Sequence, residues 1–207
     1  MNFSVTLQTA EEHYSSLLKL QTAFSFLCND LAPFVSEQQC WNRVILHHLK
    51  YKELRAKYPE MGSQMVCNAI YAVSKISRLV YQHPSSPYNI KALQGRKLPT
   101  VRFSDTCPVY FDSHTLTVTN QQLSMFTMDG RIKFELVLTP QQRELISGRK
   151  LLEITLSRGE DEKFMLLFYF EKPQAAKFVP AANLKFDANG GVRQSIGLPE
   201  YVGIEES

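Results

Sequence analysis

Hydrophobic and polar positions divide the chain into a helical first half and a strand-rich second half. Phe3-Ser4-Val5-Thr6-Leu7 alternates as a short strand does. Thr9, with Glu12 three residues on, reads as a capping box for a helix running to about Leu31, which carries Leu17, Leu18, Leu20, Phe24, Leu27 and Cys28. Pro33 is expected to end it. Ser36 and Gln39 form a second capping-box pattern, for a helix holding Trp41, Val44, Ile45 and Leu49 on one side and exposing Lys50, Lys52, Arg55 and Lys57 in its later turns. After a break at Glu60-Met61-Gly62, the stretch Ser63 to Tyr81 predicts one amphipathic helix. Val66, Ala69, Ile70, Val73, Ile76 and Val80 make its apolar stripe, and Gln64, Asn68, Tyr71, Lys75, Arg78 and Gln82 line the opposite side.

Beyond Gly95-Arg96-Lys97-Leu98-Pro99 the pattern becomes one of short segments rich in Val, Thr and aromatics, at Thr100 to Phe103, Val109 to Phe111, Thr115 to Thr119 and Leu123 to Thr127. Arg131 to Leu138 alternates most cleanly, with Ile132, Phe134, Leu136 and Leu138 on one side. Thr139-Pro140-Gln141-Gln142 opens a short helical turn, and Leu151 to Ser157 pairs with Lys163 to Glu171 as a hairpin. The expected class is therefore α+β: a small antiparallel β-barrel, OB-like, with a three-helix insert after its first strand. The parts are residues 1–9 as the first strand, 10–97 as the helical insert, 98–172 as the barrel and 173–207 as a Pro- and Gly-punctuated linker or tail.

Composition narrows the class. A chain of 207 residues with 44% hydrophobic content can bury a sizeable core, and its net charge of +3 is only mildly basic. The distribution says more than the sum. From Met61 to Ser104 there is no Asp or Glu, while Lys75, Arg78, Lys91, Arg96, Lys97 and Arg102 are all cationic, and a helix face built only for solubility interleaves both signs. Cys28, Cys40, Cys67 and Cys107 lack the paired spacing of a zinc site and read as reduced thiols. With no apolar run of membrane-spanning length, the expectation is a cytoplasmic protein with no membrane partner.

No phosphate loop, metal-ligand spacing or nucleophile motif is present, and no cofactor is expected. His47 and His48 are neighbours on a helix, about 100° apart, and read as one packed and one exposed histidine. Asp105, Asp112 and Asp129 read as turn residues. The candidates for nucleic-acid contact are Lys75, Arg78, Arg96, Lys97 and Arg102 at phosphates, Tyr71 as a stacking ring, Gln64 and Asn68 at base edges or sugars, and Lys50, Arg55 and Arg131 as further contacts.

The order of parts, with Leu46-His47-His48-Leu49-Lys50-Tyr51-Lys52-Glu53-Leu54-Arg55, Pro59, Ser63-Gln64-Met65, the helix of Ile70, Val73 and Lys75, and Asp129-Gly130-Arg131-Ile132-Lys133, resembles the N-terminal half of TnpB-type proteins over roughly Asn2 to Lys172. These are transposon-encoded RNA-guided proteins related to type V CRISPR effectors. The resemblance implies that the first and returning strands form a wedge domain and the helices a recognition lobe, which together hold a guide-like RNA and read a short motif beside a DNA target. A RuvC-like nuclease normally follows, opened by a Gly-Ile-Asp-x-Gly strand. Here Val202-Gly203-Ile204-Glu205-Glu206-Ser207 is similar to its start, with Glu205 where the metal-binding Asp would stand and Ser207 at the Gly. The remaining carboxylates have no counterpart in these 207 residues, so the expectation is a protein that does not itself cut DNA. A split nuclease completed by a separate subunit, or a protein-interaction β-barrel, are the alternatives.

Overall fold

A computed structural model describes residues 2–91, 93, 95–119, 122–171 and 197–205. The chain is a mixed α+β protein, with four helices and three antiparallel sheets among the described residues. Its elements are β1 (Asn2–Thr6), α1 (Glu11–Glu37), α2 (Arg43–Lys57), α3 (Ser63–Gln82), β2 (Thr100–Phe103), β3 (Val109–Phe111), β4 (Leu116–Val118), β5 (Gln122–Thr127), β6 (Gly130–Glu135), α4 (Pro140–Gly148), β7 (Leu151–Arg158), β8 (Phe164–Phe170) and β9 (Val202–Glu205), with a single 3-10 turn over Pro59–Met61. The first strand does return to the later ones: the four-stranded sheet runs β1-β8-β7-β3. A second sheet is β4-β5-β6 and a third pairs β2 with β9. Among the described residues none of the three closes on itself, so the barrel expected from strand spacing is resolved into three open sheets.

Three helix boundaries differ from expectation. α1 passes through Pro33 to Glu37. A proline inside a helix forfeits one backbone hydrogen bond, and here Leu31, Ala32 and Val35 are fully buried around it, so packing offsets the loss. Nor does Thr9 cap α1, whose N-cap is Ala10 without a side-chain bond. α2 begins at Arg43 rather than after Ser36, because Asn42 accepts from the backbone N–H groups of Val44 and Ile45, at 2.9 and 3.2 Å. Ser36 instead donates to the Pro33 carbonyl.

The apolar side of α2, expected to pack, is open to solvent: Val44 is 61% exposed, Ile45 48% and Leu49 57%. Only Leu46 and Leu54 of this helix are buried. α3 is the opposite case. Its whole predicted stripe is buried, and so are Met65, Asn68, Ala72, Ser74, Ser77 and Tyr81 on other sides. Gly62 introduces it at φ +68°, a backbone conformation that side-chain-bearing residues rarely adopt, with Phe126 packed against it. The capping box at Thr139 and Gln142 forms, and the helix it opens runs nine residues rather than one turn. The hairpin of β7 and β8 pairs Thr155 with Leu167 and Arg158 with Phe164, with one register irregularity near Leu151. The linker expected over 173–207 lies outside the described residues except for 197–205, where Val202–Glu205 is a strand paired with β2.

Candidate nucleic-acid interface

The β1-β8-β7-β3 sheet has two chemically different faces. Successive residues of a strand point to opposite sides, so in β8 the buried Phe164, Leu166, Phe168 and Phe170 face the core. Phe3 of β1 stacks on Phe168 and Phe170 there, with ring centroids 4.8 and 5.6 Å apart. The alternate residues make the other face. Register aligns Ser4, Leu167, Thr155 and Tyr110 in one row across all four strands, and Asn2, Tyr169 and Glu153 in the next.

The C-terminal half of α3 lies along one side of this second face and the 197–201 stretch along another, leaving a cleft of about 850 Å³. Lys75 and Arg78 reach it from α3, Tyr110, Glu153 and Tyr169 from the sheet, and Tyr201 from the late stretch. Glu153 organises its α3 side. Lys75 Nζ donates to both carboxylate oxygens, at 2.7 and 3.0 Å, and the Tyr71 hydroxyl donates to one of them at 2.8 Å. Burial, then this bond to the carboxylate, pushes the Tyr71 hydroxyl pKa up to about 12. Tyr71 meets Tyr110 edge-on at 5.6 Å, and the Arg43 guanidinium of α2 lies 5.2 Å from the Tyr71 ring centroid. Burial, reinforced by the charges of Tyr201 and Glu153, raises the Tyr110 hydroxyl further still. At the far end Arg158, whose side chain is only 11% exposed, is held by Glu162 at 2.7 Å, with Asp105 at 3.6 Å.

Of the residues expected to touch nucleic acid, the fold brings three together here: Tyr71, Lys75 and Arg78. Arg78 is exposed and makes no ion pair among the described residues. Others are committed within the protein. Asn68, expected at a base edge, is buried and donates to the Tyr110 carbonyl at 3.0 Å, since a buried amide needs an internal partner. Gln64 donates to Asp112. Lys50 pairs with Glu53 at 2.7 Å with its ammonium over the Phe34 ring, and Arg55 donates to the carbonyls of Tyr58 and Pro59 at the end of α2. Arg131 donates to the carbonyls of Ser124 and His114 and to the Ser124 hydroxyl, tying β6 to β5 and to the turn before β4. Arg102 lies 3.3 Å from Glu205 across the β2-β9 pair. Arg96 and Lys97 are exposed in the loop before β2, away from the cleft.

Sequence reasoning missed Arg43, Arg158, Glu153, Tyr169 and Tyr201. β8 reads Phe164-Met165-Leu166-Leu167-Phe168-Tyr169-Phe170, apolar throughout, so its outward face, Tyr169 included, is set by packing rather than by a sequence pattern. The others also depend on tertiary placement. His47 is half-buried and stacks on Tyr51 at 4.6 Å, while His48 is exposed. The four cysteines are free thiols, with Cys28 and Cys107 in the core. Among the described residues no three His, Cys, Asp or Glu side chains converge as metal ligands, and no helix is long and apolar enough to cross a membrane. No family model matches the chain, and no curated protein matches it.

Proposed function

We propose that this chain is a non-catalytic module that binds a guide-like RNA and the DNA it targets, the counterpart of the wedge and recognition parts of TnpB-type proteins. The observation that carries the reading is the cleft, where the half-buried rings of Tyr169 and Tyr201 stand beside Lys75 and Arg78 of α3. Single-stranded nucleic acid is held in this way, by bases stacked on aromatic side chains and phosphates met by Arg and Lys. The pairing of β1 with β8 agrees with a wedge-like β-domain interrupted by helices. Glu205, at the place of the nuclease aspartate in the resemblance, faces Arg102.

The test is to purify the protein from cells carrying its native flanking DNA, measure the nucleic-acid absorbance that accompanies it, and sequence the RNA. A discrete RNA is expected, with affinity falling steeply as salt rises. Arg43→Glu combined with Arg78→Glu is expected to release it while leaving the melting temperature unchanged. Folded protein free of RNA at low salt would overturn the reading.

A further inference from the structure

We propose that the cleft is a pocket for one unpaired nucleotide, with the base on Tyr169, its exocyclic amine toward Glu153, and the phosphate between Arg78 and Arg158. The inference rests on the RNA-binding reading and names what this part of the surface takes. The volume of about 850 Å³ is in the range of small-molecule sites and suits one extruded nucleotide rather than a helix. Tyr169 and Glu153 are directly opposed cross-strand partners on the outward face. A base lying on the ring therefore brings its edge over the carboxylate.

Glu153 is already fixed by its neighbours. An ionised carboxylate has about four lone-pair directions, and Lys75 and Tyr71 occupy three of them. The one left accepts but cannot donate, so it meets the amine of cytosine, adenine or guanine directly, whereas uracil, with O4 where cytosine has its amine, must shift to bring its N3–H there. The second independent feature is Arg158. Its Nε is buried and has no hydrogen-bond partner among the described residues, although Glu162 and Asp105 hold the rest of the guanidinium. A buried donor left unpaired is costly, and because Arg158 lines the cleft, a small turn of its side chain would offer that N–H to a phosphate oxygen, a strong acceptor.

The experiment uses the full chain, stripped of nucleic acid at high salt. Calorimetric titration with CMP and UMP is followed by titration with short oligocytidylate and oligouridylate, which separates a free nucleotide from one within a strand. CMP is expected to bind saturably at one site and UMP at least about fivefold more weakly. Tyr169→Leu is expected to cost about fivefold or more, the low end of base stacking on an aromatic ring. Arg78→Glu, at an exposed position, supplies a second variant should Tyr169→Leu fail to fold. RNA binding that is indifferent both to Tyr169→Leu and to the choice of C or U would overturn the pocket and leave the RNA-binding reading standing. Loss of all nucleotide and RNA binding by the folded wild type would overturn both.

Discussion

α2 and α3 are consecutive helices, and the difference between them is how far each obeys its own sequence pattern. α3 is buried almost all round although one of its sides is polar, whereas α2 exposes three of its apolar residues and buries only Leu46 and Leu54. The reason is position. α3 lies at the centre of the core, between α1, α2 and β3, so its polar side chains must find partners inside: Asn68 donates to the Tyr110 carbonyl and Ser74 to the Trp41 carbonyl, at 2.6 Å. α2 packs mainly on α3 and meets α1 through the Lys50–Phe34 and Lys57–Asp30 contacts. Amphipathicity tells which side of a helix is most apolar; the number of neighbours decides how many sides are buried.

Substitutions can break or sharpen this contrast. The largest effect is expected from Ile70→Ala in α3, which should lower the free energy of unfolding by about 2–5 kcal/mol, measured by urea denaturation. Next comes Asn68→Ala. It leaves the buried Tyr110 carbonyl without its side-chain donor and should cost about 1–3 kcal/mol, with no specific effect on the salt dependence of RNA affinity. A loss confined to RNA binding would return Asn68 to the surface role its sequence position suggests.

Glu153→Gln should act more locally. Tyr71 ionisation, raised to about 12 by burial and by the carboxylate, should move back toward the ordinary value of 10.0, read from phenolate absorbance. The sign for stability follows. With its folded pKa above the unfolded one, Tyr71 contributes stability that is fully present below pH 10 and lost as pH rises toward 12, so the variant should show a shallower alkaline decline. The smallest effect is expected on α2: Leu49→Ala should change stability by no more than about 0.5 kcal/mol, because its side chain is already in water. A loss of several times that size would mean that this side of α2 is covered in solution.

Much of the fold was legible in the sequence. The stripe of α3, the alternation of β6 and the Thr139 capping box follow from local period and turn chemistry, whereas the pairing of β1 with β8 is long-range and was expected only from the order of the elements. The site was legible only in part, because charge was counted along the chain and is neutralised across it. The acid-free run from Met61 to Ser104 looked like an uncompensated basic surface, yet Glu153 from β7 answers Lys75, Glu205 from β9 answers Arg102 and Asp112 accepts from Gln64. Arg78 is the cation of that run that reaches the cleft without an ion pair among the described residues. Helix 2 was misplaced for a different reason: two capping signals compete, and Asn42 outcompetes Ser36, which a three-residue spacing rule cannot decide.

The partnership of Asn2 with Tyr169 also has a consequence in time. On a ribosome adding roughly 5–20 residues per second, β1 emerges roughly 8–33 s before the strand it needs. During that interval Phe3, which stacks on Phe168 and Phe170 in the finished sheet, has no partner strand to cover it. The nascent chain is therefore at its most adhesive just before β8 is complete, and synonymous codon changes that slow translation between α3 and β8 should lower the yield of soluble protein without altering a single contact in the finished molecule.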